Sequence, residues 1–353
     1  MAKNIFLDGT EIGRGCKPYV IAEVSANHNG SIEKAKEIIS SAARNGADAV
    51  KLQTYTADTI TIKSDRPEFR IKGGLWDGYQ LWDLYDWAHT PFEWHPELFD
   101  HARKEGITCF SSPFDDTAVD LLEGLNAPLY KIASFEMTDL PLIRKVAATQ
   151  KPMIMSTGLA SLEEIEKSLS VARDVGSGEI VLLHCISGYP TPLEQANLKL
   201  MLELQETFDV LVGLSDHTLA NTAAIAAVSI GACIIEKHFT LARSEGGADA
   251  EFSMEPPQLK ALCEDTEGAW KSMGDGVRLT PSVQDNNRVF RRSIYTVGPI
   301  QKGDVFTKDN IRCIRPGLGL PPELYDKVLG KKAASDIDYG TPLETTHIEG
   351  GVA

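Results

Sequence analysis

The stretch 210–240, VLVGLSDHTLANTAAIAAVSIGACIIEKHFT, limits the possible folds more than any other part of the chain. Residues 210–214 form an unbroken apolar run that stops at Ser215-Asp216-His217. A small-residue helical pattern covers 221–231, and a second apolar run, 233–235, stops at Glu236-Lys237-His238. Continuous apolar runs joined by a helix read as parallel strands, because only a strand covered on both faces is apolar at successive positions. The stretch is therefore strand, crossover helix, strand, with a histidine at the carboxyl end of each strand. Neighbouring parallel strands bring those ends together. Two readings follow: a pair of metal ligands, since neutral imidazole is a common one, or two structural histidines bonded to carbonyls. Period-two alternation puts Ser215 and His217 on one face, and Glu236 and His238 on one face.

The same unit recurs upstream. Further strand patterns lie at 19–24, 49–54, 107–112, 129–134, 152–157 and 180–185. Helical patterns lie near 31–45, 96–105, 117–125, 140–149, 162–175, 198–207 and 257–273, with Ser31 as the expected N-cap of the first. Eight strand–helix units in roughly 250 residues match a (β/α)8 TIM barrel, expected over 1–280. A polar linker is expected at 281–292. The remainder, 293–353, has short β-rich runs broken by Gly and Pro and reads as a small β-rich domain, marginal in size for independent stability. Segment 55–95 is too long for an ordinary βα loop, and long loops on that side of a barrel are usually functional. Its Trp76, Trp82, Trp87 and Trp94 either line a sugar site or pin a lid.

The formal net charge of −15, with no basic block, argues against nucleic acid or an anionic membrane as the main partner. No apolar run approaches the ~20 residues of a membrane span. The start, MAKNIFLDGTEIGRG, lacks the apolar segment of a signal peptide. Six cysteines, none in C-x-x-C, are expected as free thiols. A cytoplasmic location is the resulting expectation.

In a barrel of this kind, chemistry sits at the carboxyl ends of the strands. The polar residues expected there are Glu23, Lys51, Gln53, Ser111, Ser112, Lys131, Ser134, Thr157, Ser187, Tyr189, Ser215, His217, Glu236 and His238. Two lysines inside apolar strands demand partners. One reading is a structural Glu23–Lys51 ion pair, which leaves Lys131 without a partner. A second is an anion site made by Lys51 and Lys131, each charge-assisted hydrogen bond contributing about 1.5–3 kcal/mol. A third is a Schiff-base lysine, which needs a depressed pKa that a neighbouring acid opposes. His28 reads as part of an Asn-His-Asn-Gly turn, and His184 as a satisfied strand histidine. Gly246-Gly247 lacks the strand–Gly–helix context of a phosphate loop, but Asp249 beside it could reach a polar substrate.

Ten motifs spread over nearly the whole chain give these residues a common pattern: IAEVSANHNGS (21–31), KLQTYTADT (51–59), FSSPFD (110–115), YKIASFE (130–136), IMSTGLAS (154–161), HCISGYPTP (184–192), GLSDHT (213–218), IEKHFT (235–240), GGADAEFSMEP (246–256) and RPGLGLPP (315–322). Through them the chain resembles the sialic acid synthase family. Segments 73–85, 90–95 and 131–143 look most like the branch that takes 2,4-diacetamido-2,4,6-trideoxy-L-altrose. One departure is Ala248, where the family pattern has Pro. The resemblance implies a transferase that condenses phosphoenolpyruvate with an amino sugar and water, releases phosphate, and uses a divalent metal, Mn²⁺ first, with Mg²⁺ or Co²⁺ as alternatives. It implies a C-terminal SAF domain like type III antifreeze proteins, and a homodimer in which Arg315 reaches the partner's barrel.

On that basis His217 and His238 are the expected metal ligands and, with Glu23, the catalytic residues. Lys51, Lys131, Ser134, Ser187 and Ser215 are expected to hold phosphoenolpyruvate, and Gln53, Tyr189, Asp249 and Arg315 the sugar. The nonulosonate product would be destined for cell-surface glycans such as those of glycosylated flagellin. Two alternatives stay open: the same reaction on a neuraminic or legionaminic acid precursor, and a non-catalytic sugar- or anion-binding protein. An ice-binding role for the small domain is disfavoured because it leaves the barrel chemistry without a purpose.

Overall fold

The computed structural model describes residues 3–177, 179–276 and 282–352. The chain divides into two units, Met1–Gly274 and Asp275–Ala353. The expected domain boundary at 280–281 lies outside the described residues.

All eight expected apolar runs become strands of one closed parallel barrel. A short antiparallel hairpin precedes it, β1 (Ile5–Leu7) and β2 (Thr10–Ile12). The barrel strands are β3 (Tyr19–Glu23), β4 (Ala49–Thr54), β5 (Thr108–Pro113), β6 (Tyr130–Ile132), β7 (Met153–Ser156), β8 (Ile180–Cys185), β9 (Leu211–Ser215) and β10 (Ile234–His238), which pairs back onto β3. Covering helices follow the strands: α1 (Ile32–Arg44), then α2 (Ala57–Ile60), α3 (Leu81–Ala88) and α4 (His95–Glu105) after β4, then α5 (Asp116–Gly124), α6 (Leu140–Ala147), α7 (Leu162–Val175), α8 (Leu200–Phe208), α9 (Thr222–Ser229) and α10 (Pro256–Met273). Ser31 caps α1 by accepting from the Lys34 amide, and Ser161 with Glu164 forms a reciprocal capping box on α7.

Alternation along the strands builds the barrel interior in layers. Ile21, Ala49, Phe110, Leu129, Ile154, Val181, Leu183, Leu211 and Ile234 form a dry floor, closed from beneath by Ile5, Leu7 and Ile12 of the hairpin. Gly213 takes part without a side chain: a Cβ there would meet the Ile234 carbonyl oxygen at 2.5 Å and Leu183 Cδ2 at 2.6 Å. Further along most of the strands this floor gives way to polar groups. Glu23, Lys51, Ser112, Lys131, Ser156, Ser215 and Glu236 stand above it, nearly all excluded from solvent.

Two strand ends differ from expectation by more than one residue. β6 stops at Ile132, and Ser134 opens a 3-10 turn, Ser134–Thr138. β10 extends to His238, past the apolar run, because Glu236 and Lys237 are buried with partners and need no solvent. The N-terminal hairpin carries no strong pattern and was not expected.

The second unit is β-rich, as its composition implies. β11 (Ser293–Thr296) pairs antiparallel with β12 (Ile311–Ile314), and single bridges join Ile300 to Ile337 and Val305 to Lys332. Its core is small: Ile294, Ile300, Phe306, Ile311, Val328, Ala333, Ile337, Leu343 and Ile348.

Candidate active site

A cavity of about 540 Å³ opens above the polar layer at the carboxyl ends of the strands. It is lined by Glu23, Lys51, Gln53, Lys131, Ser134, Ser187, Tyr189, Ser215, His217, His238 and Asp249. These are all the first-unit residues expected to act in catalysis or binding, whereas Ser111, Ser112 and Thr157, also expected at the mouth, are not among the lining residues. Arg315 belongs to the second unit, just past β12.

The two lysines are explained by a four-charge cluster. Lys51 Nζ lies 3.0 Å from Glu23 Oε2 and 3.2 Å from Glu236 Oε1. Lys131 Nζ donates to both Glu236 oxygens, at 2.7 and 2.8 Å. The expectation that a Glu23–Lys51 pair strands Lys131 is therefore corrected: Glu236, from the opposite side of the barrel, is its partner. Ser215 Oγ donates to Glu236 at 3.1 Å, and Lys51 reaches Ser112 Oγ at 3.4 Å. Ser111 faces away and bonds Thr54 Oγ1.

Burial and charge set the protonation states. Burial pushes the Glu23 carboxyl up to about 7, with the Glu236 charge adding and Lys51 opposing. Burial also acts on Glu236, but Lys131 and Lys51 overcome it and hold that carboxyl well below the usual range. Burial lowers Lys131 to about 8 against the pull of Glu236. Lys51, buried between two carboxylates, stays above the ordinary lysine range. That raised value disfavours Lys51 as a Schiff-base nucleophile, and the Lys131 nitrogen is engaged by both oxygens of one carboxylate.

A hydrogen-bonded belt continues the cluster towards the sugar candidates. Gln53 Nε2 donates to Glu23 Oε1 at 2.8 Å and to Ser25 Oγ at 3.0 Å, and Ser25 in turn donates to Asp249. Ser134 and Ser187 hydroxyls lie 3.1 Å apart. They pack on Gly158, where a Cβ would stand 2.3 Å from Ser134 Cβ. Tyr189 lies over the histidines, its ring centroid 4.4 Å from that of His217 and 6.2 Å from that of His238.

The two histidines meet as the parallel strands require, ring centroids 5.6 Å apart. His217 Nδ1 bonds the Ile186 carbonyl at 2.8 Å, which fixes the tautomer and leaves the Nε2 lone pair for a ligand. His238 Nδ1 is buried with no hydrogen-bond partner among the described residues. Burial lowers both imidazoles, so both are neutral. An orphaned nitrogen beside an oriented imidazole suits a divalent cation. Among the described residues no three His, Cys, Asp or Glu side chains converge as a complete metal set, so further positions would fall to water or substrate.

Other expectations resolve as follows. His184 Nε2 bonds the Ala196 carbonyl at 2.8 Å, the satisfied histidine expected. His28 accepts from the Gly30 amide and meets Thr90, holding its turn. Trp82 bonds Asp58, Trp87 stacks on Tyr79, and Trp94 packs on His28. These three pin the long segment, and Trp76 alone of the four lines the cavity. The cysteines are free. No helix among the described residues is long and apolar enough to cross a membrane.

The sequence reading missed Glu136 as a site residue. It lines the cavity from the 3-10 turn after β6, with Oε2 buried and unbonded, and burial raises its carboxyl to about 7. The shortness of β6 is what turns it inward, and no periodicity shows that in advance.

A closed parallel barrel with a buried charge cluster, two neutral histidines and a wide cavity at the strand ends is that of a (β/α)8-barrel enzyme. Residues 38–278 match the model of the NeuB family, and 291–349 that of the SAF domain. The chain is 44% identical to a pseudaminic acid synthase of Campylobacter jejuni over 328 residues, covering 93% of this chain and 96% of that protein. It is 45% identical to the pseudaminic acid synthase of Helicobacter pylori, covering 94% and 98%. Among solved structures, the N-acetylneuraminic acid synthetase of Leptospira borgpetersenii, in complex with citrate, superposes with a TM-score of 0.73 at 30% identity, covering 81% of this chain and 95% of that one. The chain belongs to the NeuB family and carries a SAF domain.

Proposed function

We propose that this chain acts as a pseudaminic acid synthase. It condenses phosphoenolpyruvate with 2,4-diacetamido-2,4,6-trideoxy-L-altrose and water, giving pseudaminic acid and phosphate. The observation that carries the reaction type is the Glu23–Lys51–Glu236–Lys131 cluster at the base of the cavity. The choice of sugar is supported by the similarity to the two pseudaminic acid synthases.

The residues divide by what they can bond. Lys51 and Lys131 supply charge, and Ser134, Ser187 and Ser215 supply hydroxyls, for the carboxylate and phosphate of phosphoenolpyruvate. Gln53, Tyr189 and Asp249, with the partner's Arg315 in a homodimer, orient the sugar so that its aldehyde faces C3 of phosphoenolpyruvate. C3 attacks the aldehyde carbon, and cationic character develops at C2. Glu23 takes a proton from the water that adds there, a role suited to a carboxyl raised to about 7. Phosphate then leaves as the C2–O bond to it breaks, the C2 hydroxyl gives up its proton with the phosphate to become the ketone, and the proton taken by Glu23 passes to the former aldehyde oxygen, which ends as a hydroxyl. His217 and His238 would hold Mn²⁺, or Mg²⁺ or Co²⁺, which when bound would supply positive charge to the aldehyde oxygen. The lysine charges are already balanced by two carboxylates, so a substrate carrying both a carboxylate and a phosphate calls for that extra cation.

The test is phosphate release from phosphoenolpyruvate by chelator-treated protein with Mn²⁺ returned. The acceptors are the altrose sugar, its 2,4-diacetamido mannose analogue and N-acetylmannosamine. Release with the altrose sugar in preference to the others is expected. Preference for another acceptor moves the chain to a legionaminic or neuraminic acid synthase, and no release with any of them refutes the synthase reading. A cytoplasmic location fits a phosphoenolpyruvate-dependent reaction.

A further inference from the structure

The long segment between β4 and α4 forms one side of the cavity, and its chemistry is the opposite of the base. Ile71 bonds Gly78 and Tyr79 across a turn, its amide donating to the Tyr79 carbonyl at 2.9 Å and its carbonyl accepting from the Gly78 amide at 3.0 Å. Trp76, on that turn, donates its indole N–H to the Ala248 carbonyl at 3.0 Å, tying the turn to the loop after β10. Trp82 donates to Asp58 at 2.8 Å and ties α3 to α2. The side chains this places on the cavity are Tyr55, Ile60, Ile71, Trp76, Leu84, Tyr85 and Ala88. The Trp76 N–H is already used, so the polar side-chain groups this wall has to offer are the hydroxyls of Tyr55 and Tyr85.

Resting on the reading above, we infer that this wall is the specificity element for the far end of the acceptor sugar and selects a C6 methyl over a C6 hydroxymethyl. The reacting end of the sugar must lie at the charged base, since the groups that handle phosphoenolpyruvate are there. Its C6 end then meets the wall. A hydroxymethyl pressed on Ile60, Ile71 and Leu84 loses water without gaining a bond, whereas a methyl gains contact and loses nothing. An apolar surface rejects an added hydroxyl only modestly, by about 10²-fold. The wall does not read configuration at the ring carbons, so altrose and mannose 6-deoxy sugars pass it equally.

The experiment compares wild type with Ile60→Thr and Ile71→Thr, changes that keep the branched Cβ, shorten the side chain and add a hydroxyl, at half-buried positions outside the barrel core. The reading is kcat/KM from phosphate release with the two 6-deoxy diacetamido sugars and with a 6-hydroxy counterpart of each. Wild type should favour both 6-deoxy sugars over their 6-hydroxy counterparts, and the Thr variants should shrink that preference by about 10-fold, the size of one lost apolar contact. Trp76→Phe, which removes the bond to Ala248, should shrink it too. Thermal unfolding of each variant confirms that the fold is kept. A preference unchanged in all three folded variants overturns the inference, as does a wild type that favours 6-hydroxy sugars. A wild type that uses only the mannose 6-deoxy sugar would refute the proposed altrose substrate and leave the wall inference standing.

Discussion

Replacing Glu236 by Gln tests the buried cluster more sharply than removing either lysine. Glu236 accepts two hydrogen bonds from Lys131 and stands 3.2 Å from Lys51. After the change Lys51 keeps Glu23 at 3.0 Å, but Lys131, 2% exposed, loses the only carboxylate within ion-pair distance of it among the described residues. Breaking a buried pair by removing one partner costs about 3–5 kcal/mol, because the other charge stays buried. Lys131→Met leaves no such orphan: Glu236 still has Lys51. It should therefore cost clearly less than Glu236→Gln, despite removing the same ion pair. The double variant removes the orphaned charge as well, so it should recover much of the loss. The coupling should fall at the upper part of the about 0.5–3 kcal/mol seen for interacting neighbours.

Urea unfolding of the four proteins, followed by circular dichroism, measures this cycle. Additive effects, or a Glu236→Gln variant no less stable than Lys131→Met, would refute the reasoning. The cost of Glu236→Gln should also shrink at alkaline pH. Lys131 is lowered to about 8 even with Glu236 present, and without that carboxylate its pKa falls further. Raising the pH then discharges the orphan and removes the penalty.

Three further outcomes follow from the same geometry. Lys131 carries its charge only below its pKa, so kcat/KM for phosphoenolpyruvate should decline as pH rises through about 8; a flat profile to pH 9.5 would remove Lys131 from the anion site. His217→Ala combined with His238→Ala should leave a folded protein that retains no Mn²⁺ after desalting, measured by elemental analysis; retained metal would place the site elsewhere. Lys237 bonds Asp216 at 2.7 Å with both side chains buried, clamping the strand ends that carry the histidines. Lys237→Met should lower stability by about 3–5 kcal/mol and weaken Mn²⁺ binding in calorimetry, and unchanged values of both would show the clamp to be idle.

What could be read in advance divides along a physical line. The barrel was legible because each strand buried on both faces leaves an unbroken apolar run, and the polar residues near the carboxyl ends of those runs, Glu23, Lys51, Gln53 and Lys131, are then expected at the barrel mouth without any structure. Phase along a strand does not reveal which strand tips face each other across the barrel. Glu23 and Lys51 sit on adjacent strands in register, so their pairing could be anticipated. Lys131 on β6 and Glu236 on β10 are separated by three intervening strands and 105 residues, and only closure of the barrel brings them within 2.7 Å. Glu136 was hidden for the converse reason. Its position depends on β6 ending early, an event decided by packing rather than by residue type. A charge inside an apolar strand therefore announces a site but not its partner. Here the partner, Glu236, lies one side chain's reach from both lysines, which makes it the group whose loss the site should feel most.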